Sequence, residues 1–250
     1  EDPAAYAELA YAYEANGIWP AARNAYAEAV RLEPTSENWR FHLAVSLREA
    51  GDPESSKRLL RELAADHPDL AHVQQRLGEA LAESGELEAA AAARVGKEAA
   101  LFVASGTMGN LAAVLAHCNR GDEVILGDKS HIFLNEQGGM AALGGIMPHP
   151  VPNQPDGTLR LEDIAGAIRT DNAHFPRTRL VCLENTHNRC GGAVLTPEYM
   201  GQVRALADRH GLAVHLDGAR LFNAASALGV EVSDWARLVD SAMFCLSKGL

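Results

Sequence analysis

A period of 34 residues runs through the first ninety positions of this chain and constrains how that third folds. Leu9, Leu43 and Leu77 stand one period apart, as do Gly17, Gly51 and Gly85, and Pro34 and Pro68 keep the same step. Within the first period Tyr6, Leu9, Tyr13, Gly17, Ala22, Tyr26, Ala29 and Pro34 fall at the spacing of a two-helix unit. The glycine releases the chain between helices, the alanines let the helices approach, and the proline closes the unit. The second unit keeps Ala44 but has Ser56 and Leu60 where the first has a small and an aromatic residue. The third keeps Leu77, Gly78, Leu81, Gly85 and Ala90, and the pattern fades near Arg94. Helices are predicted near 3–16, 20–33, 37–50, 53–66, 70–84 and 86–95.

Period and residue pattern together resemble the tetratricopeptide (TPR) repeat. The resemblance implies an N-terminal α-solenoid of TPR-like helix pairs over residues 1–92, three units being about the minimum for a stable stack. It also implies a concave surface for a protein or peptide partner. Packing alone accounts for the same positions, because any helix pair must bury its apolar stripe.

From Val95 the texture changes. Short apolar runs at Ala99–Val103, Glu123–Gly127, Gly145–Val151, Arg179–Leu183, Leu212–Leu216 and Ser241–Leu246 alternate with helix-like segments near 107–118, 161–169, 197–210 and 219–228. That alternation predicts a second domain over 93–250, a mostly parallel α/β/α sandwich, so the fold class is α plus α/β. Ligands of such sheets collect at the carboxyl ends of the strands. The residues to weigh are therefore Ser105-Gly106-Thr107, Asp128 to His131, Glu184 to Asn188, Asp217 to Arg220 and Ser247-Lys248.

Lys248 follows the apolar run Ala242–Leu246 and is one of only four lysines. A lysine at the mouth of a buried strand is poorly placed for solubility and well placed for imine chemistry, since desolvation favours the neutral amine. Ser105, Gly106 and Thr107 follow one apolar run and open a helix, where N–H groups and hydroxyls suit a phosphate; Ser105 is equally suited to be an ordinary N-cap. Asp217 can cap the helix that follows it, or keep a pyridine ring nitrogen protonated. Arg220 can hold an anionic oxygen or pair with Asp217. His131 and His187 follow different strands, so His131 can stack on an aromatic cofactor and His187 can handle protons. His210 and His215 lack a ligand set for zinc, and no metal is expected.

Net charge bounds the partners. At −11 the chain argues against a nucleic-acid surface, and the deficit is concentrated in residues 1–95, with nine basic against seventeen acidic residues. Cys118, Cys182, Cys190 and Cys245 show no metal-binding spacing and read as free thiols. With no apolar run near eighteen residues and no leader pattern, a cytoplasmic protein is expected, with no membrane partner.

Taken together, the second part resembles the L-threonine aldolase and β-eliminating lyase family of pyridoxal-phosphate enzymes of fold type I, over about 95–250. The resemblance rests on Ser105-Gly106-Thr107, Gly127-Asp128-Lys129-Ser130-His131, Leu183-Glu184-Asn185-Thr186-His187-Asn188, His215-Leu216-Asp217-Gly218-Ala219-Arg220 and Leu246-Ser247-Lys248-Gly249-Leu250. It implies that Lys248 binds pyridoxal 5'-phosphate as a Schiff base, Asp217 pairs with the ring nitrogen and His131 stacks on the ring. Ser105, Gly106 and Thr107, with Ser247, are implied to hold the phosphate, Arg220 lies against the cofactor, and His187 lies near the substrate hydroxyl. The implied reaction cleaves L-threonine or L-allo-threonine to glycine and acetaldehyde in amino-acid catabolism, in a homo-oligomer, dimer or tetramer. The family's N-terminal segment is replaced here by the helical repeats, and the chain ends before the small C-terminal domain that supplies the substrate-carboxylate arginine. The expectation is a cofactor site with weak turnover. The alternative is a repeat-mediated protein-interaction scaffold with a truncated lyase part that binds cofactor but is inactive.

Overall fold

The structure, a computed structural model, describes residues 2–68 and 70–248; Gly249 and Leu250 of the Ser-Lys-Gly-Leu motif lie outside the described residues. The chain divides into two compact units, Glu1–Leu101 and Phe102–Leu250. The last helix of the first unit, α6 (below), runs to Val95 and closes on Gly96 in the left-handed region (φ +69°), with Gly96 and Lys97 N–H bonding back to Ala93 and Ala92.

Among the described residues the first unit holds six helices: α1 (Pro3–Ala15), α2 (Trp19–Leu32), α3 (Glu37–Glu49), α4 (Pro53–Asp66), α5 (Ala71–Glu83) and α6 (Leu87–Val95). Local chemistry sets their starts. Pro sits in the first turn of α1, α2 and α4, and the side chains of Asp2, Ser36 and Asp52 cap α1, α3 and α4. Gly17, Gly51 and Gly85 all take positive φ, which explains their strict period. Neighbouring helices pack through Ala10, Ala22, Ala25 and Tyr26, then through Ala44, Leu60, Leu63 and Val73. The repeat position itself changes role: Leu9 is 46% exposed, whereas Leu77 is 7% exposed. Ser56 replaces an alanine without penalty because its buried hydroxyl donates to the Ala44 carbonyl at 2.7 Å.

The second unit is a five-stranded parallel sheet with helices. In chain order it runs α7 (Gly106–His117), β1 (Asp122–Gly127), α8 (His131–Leu134), α9 (Gly139–Ala142), β2 (Met147–Val151), α10 (Leu161–Ala167), β3 (Arg177–Glu184), α11 (Pro197–His210), β4 (Ala213–Asp217), α12 (Leu221–Leu228), α13 (Ser233–Ala236) and β5 (Ser241–Met243). The strand order is β2-β1-β3-β4-β5, with every pairing parallel. Val114 and Cys118 of the α7 region pack with Val124, Leu126, Leu180 and Cys182, the same-parity residues of two neighbouring strands.

Three sequence expectations are corrected. Ala99–Val103 is not a strand: it lies outside every ladder of the sheet, and Leu101 and Phe102 are more than two-thirds exposed. An apolar run alone cannot distinguish a strand from an apolar loop. The last strand stops at Met243 rather than Leu246, where its register with β4 ends at Asp217. The helix expected from Ala219 starts at Leu221, because Gly218 and Leu221 close a turn first. Among the described residues no helix is long and apolar enough to cross a membrane.

Candidate active site

All five strands end on the same edge of the parallel sheet, and their carboxyl ends carry the polar residues. β1 delivers Asp128 to His131, β3 ends in Glu184, β4 ends in Asp217, and β5 leads to Ser247 and Lys248. Close approach shapes the first of these ends. A Cβ on Gly127 would lie 2.2 Å from Asn153 Oδ1, so only glycine leaves room for the Asn153 amide, which accepts from Lys129 N–H at 2.9 Å. Asp128 in turn accepts from Asn153 N–H at 2.9 Å, fixing the loop that leads to His131.

Asp217 is buried, and both carboxylate oxygens receive N–H groups. Oδ1 accepts from Ala219 N–H at 3.2 Å and Oδ2 accepts from Asn110 Nδ2 at 2.9 Å. Burial, then the charge of Glu184, pushes its pKa up, while the two hydrogen bonds and His131 pull it down; the net direction is upward. Asp217 thus caps the turn before α12 and still presents a held carboxylate at the strand end. Among the described residues no ion pair joins Arg220 to Asp217; Arg220 is half-buried at the N-cap of α12.

Asn110 of α7 also donates to Glu136 Oε1 at 2.8 Å, and His131 Nδ1 lies 3.1 Å from that same oxygen. Glu136 is buried and its pKa is raised by desolvation, opposed by Asn110 and His131. His131, Glu136 and Asp217 bring atoms of metal-ligand type within 4.8 Å of one another, but Asn110 points an N–H at both carboxylates, which a cation in the same place would oppose. The side chain of His131 is 38% exposed, leaving a face open, and its backbone N–H donates to Glu184 Oε2 at 2.7 Å.

His187 is 1% exposed, and neither ring nitrogen has a hydrogen-bond partner. Its Nε2 stands 3.9 Å from Glu184 Oε2, within reach of an ion pair and beyond a hydrogen bond. Its backbone is fixed by a bond from His187 N–H to the Ala193 carbonyl at 2.8 Å. Buried imidazole nitrogens without partners are costly, and so mark a place where a ligand group would be met.

Ser105 caps α7, its hydroxyl oxygen accepting from Met108 N–H at 3.2 Å. The N–H groups of Gly106 and Thr107 have no helical acceptor and stand at the positive end of a twelve-residue helix. Gly106 and Gly109 let α7 approach β5 and its continuation: a Cβ on Gly109 would meet Met243 Cγ at 2.7 Å, and one on Gly106 would meet Cys245 Sγ at 3.2 Å. Ser247 is exposed and Lys248 half-buried, in the segment that continues from β5.

Asn110, Glu136, Glu184 and His215 are the site residues for which the sequence suggested no role. Asn110 carried a signal, being a polar residue on the face of α7 that also presents Val114 to the core. Glu136 carried none.

Comparisons with known proteins cover the residues of this sheet. A family model described as beta-eliminating lyase matches residues 75–250, and one described as tetratricopeptide repeat matches residues 40–70. The chain is 54% identical over 167 residues to low-specificity L-threonine aldolase 1 of Arabidopsis thaliana, covering 66% of this chain and 47% of that protein. It is 48% identical over 155 residues to the low specificity L-threonine aldolase of Escherichia coli K12, covering 62% of this chain and 46% of the relative. The chain spans about half the length of the curated relatives it matches. A crystal structure of a Listeria monocytogenes protein ascribed to the L-allo-threonine aldolases superposes with a TM-score of 0.56 at 27% identity, covering 66% of this chain and 44% of that one. With the match extending over 75–250, through every strand of the sheet, the chain belongs to the beta-eliminating lyase family.

Proposed function

We propose that this chain is a pyridoxal-phosphate-dependent carbon–carbon lyase that cleaves L-threonine or L-allo-threonine to glycine and acetaldehyde. The observation that carries the reading is Asp217: a buried carboxylate at a strand end, with both oxygens held by N–H donors. The residues fit a phosphorylated pyridine ring. A carboxylate suits a protonated ring nitrogen, the open face of His131 suits a ring, and Gly106 and Thr107 N–H groups suit a phosphate. The 48–54% identity to the threonine aldolases of E. coli and A. thaliana supports the substrate class.

When bound, pyridoxal phosphate supplies an electron sink for a bond broken at the substrate's Cα. Lys248 is the amine that would carry the cofactor covalently, with Ser247 beside it on the phosphate and Arg220 at the start of α12 against the cofactor. Asp217 would hold the proton on the ring nitrogen. His131, its Nδ1 fixed by Glu136, would offer its open face to the ring. His187, whose ring nitrogens are unpartnered, takes the β-hydroxyl proton as the Cα–Cβ bond breaks; Cα then regains a proton to give glycine. Borohydride reduction of the cofactor-loaded chain followed by peptide mapping tests this. A pyridoxyl label on Lys248 is expected, and a label on Lys129 or Lys97 would overturn the assignment.

For the first unit we propose a TPR-like solenoid over residues 1–92 joined to the lyase domain of 93–250. The repeated Gly17, Gly51 and Gly85 turns and the match over 40–70 support it. Leu63, fully buried between pairs, is the test. Leu63→Ala should cost about 2–5 kcal/mol and speed amide exchange across α3 to α6 together. Exchange raised in α4 alone would speak against stacked pairs.

A further inference from the structure

Behind Asp217 lies a chain of polar side chains, half-buried at His117 and Ser241 and buried at His215 and Asn110, that the proposed chemistry does not use. His117 Nε2 is 2.8 Å from Ser241 Oγ, which is 2.9 Å from His215 Nδ1. His215 Nε2 is 3.1 Å from Asn110 Oδ1, and Asn110 Nδ2 reaches Asp217 at 2.9 Å and Glu136 at 2.8 Å. His215 is fully buried and Asn110 is 1% exposed.

The direction of this chain follows from its end. An amide facing two carboxylates must turn its two N–H groups to them, because its oxygen would be repelled. Asn110 Oδ1 therefore faces His215, and the imidazole must donate from Nε2. Desolvation, then the neighbouring His117, lowers the His215 pKa to about 4, so the ring is neutral and Nδ1 carries no hydrogen. Ser241 then donates its hydroxyl to His215 Nδ1 and accepts from His117 Nε2. Each link leaves one arrangement of hydrogens. The outcome is that Asp217 Oδ2 always meets a donor.

We propose that Asn110 is a positioning residue, oriented by the His117–Ser241–His215 relay, that keeps Asp217 ionised and aimed at the ring nitrogen of the cofactor. The proposal rests on the lyase reading above. Asp217 sits in a place where burial and Glu184 both favour its neutral form, and Asn110 is the first of the contacts that oppose them. Without it a protonated Asp217 would face a pyridine nitrogen it could no longer hold as the cation. A second carboxylate, Glu136, is kept apart by the other N–H of the same amide, so one side chain prevents the two acids from sharing a proton.

The test uses the full chain and two probes, pyridoxal 5'-phosphate and 1-deazapyridoxal phosphate, in which C–H replaces the ring nitrogen. Asn110→Ala should weaken pyridoxal phosphate binding by about tenfold to a hundredfold, as loss of a hydrogen bond to a charged group does. It should leave binding of the deaza probe within about twofold of the wild type, since that ring makes no demand on Asp217. His215→Leu should act in the same direction, and His215→Gln, which retains a donor toward Asn110, should restore binding. Equal losses for both probes, or no loss, would overturn the role of Asn110 and leave the lyase reading standing. No binding of pyridoxal phosphate by the wild type would instead sink that reading and this proposal with it. Nitrogen-15 NMR of the cofactor-free wild type provides a readout independent of any variant's folding. His215 should be a neutral Nε2–H tautomer at pH 6, and an Nδ1–H tautomer or an imidazolium there would refute the relay.

Discussion

Acidification should destabilise the unit of residues 102–250 chiefly through His215. This imidazole is completely buried, and its pKa falls from 6.5 to about 4, first through desolvation and then through the nearby His117. In the unfolded chain the same ring takes a proton at its ordinary pKa, so between about pH 6.5 and 4 the unfolded state binds more protons. Stability is then fully present above pH 6.5 and is lost as the pH falls through that window. At about 1.4 kcal/mol per pH unit, the loss reaches about 3 kcal/mol by pH 4, a large share of a typical domain's stability. Asp217 and Glu136 act with the opposite sign. Their raised pKa values mean that the folded state takes up their protons first, which offsets part of the loss. The wild type alone therefore reports a mixture, and the comparison that isolates His215 is with His215→Gln, which cannot titrate. Urea unfolding of both proteins from pH 7.5 to 4 should be followed by the fluorescence of Trp235, fully buried in this unit, with Trp19 and Trp39 changed to phenylalanine. His215→Gln starts lower in stability but should lose about 3 kcal/mol less on acidification. Parallel pH profiles for the two proteins would refute the reasoning, because they would mean that His215 is hydrated or charged in the folded state.

Gly127→Ala puts a methyl 2.2 Å from Asn153 Oδ1, inside a buried amide that is itself bonded to Lys129 N–H and the Gly157 carbonyl. A loss of about 2–3 kcal/mol in urea unfolding is expected, and Gly127→Ala combined with Asn153→Ala should cost less than the two changes added, since the second removes the obstacle. Trp235→Phe removes the indole donor that meets the Leu195 carbonyl at 2.7 Å and leaves that carbonyl only the longer bond from Asn185 Nδ2 at 3.2 Å. It should lower stability by about 1–3 kcal/mol; no change in the denaturation midpoint would mean that water takes the vacated place.

The helical third was legible because its chemistry is local. Each repeated Gly takes the positive φ its turn needs and recurs at 34 residues, and Pro or Asp starts α1, α2 and α4, so element ends fall within a residue or so of expectation. The strands were legible in their places along the chain and in their parallel sense, but not at their edges or in their order across the sheet. Nothing in Ala99–Val103 distinguishes an apolar strand from an apolar loop, since the deciding quantity is whether another chain segment offers it a ladder.

The site divides along the same line. Asp217 and His131 were read from local motifs, and the structure brings both to one cluster with Glu136. The links that hold that cluster join residues 26, 105, 107 and 124 positions apart, and no local rule reaches that far. One of them was nevertheless within reach. His215 and Asp217 lie two residues apart on β4, and strand geometry puts alternate residues on one face. A histidine on the same buried face as a functional carboxylate, in a run otherwise of Ala, Val and Leu, must find its partners among residues that also face that carboxylate. The helix covering that face is α7, and the only amide side chain on it is Asn110. The identity of the residue that orients Asp217 thus follows from strand parity and hydrogen-bond satisfaction once the helix that covers the strand is known. That one topological fact separates the readable half of the site from the rest.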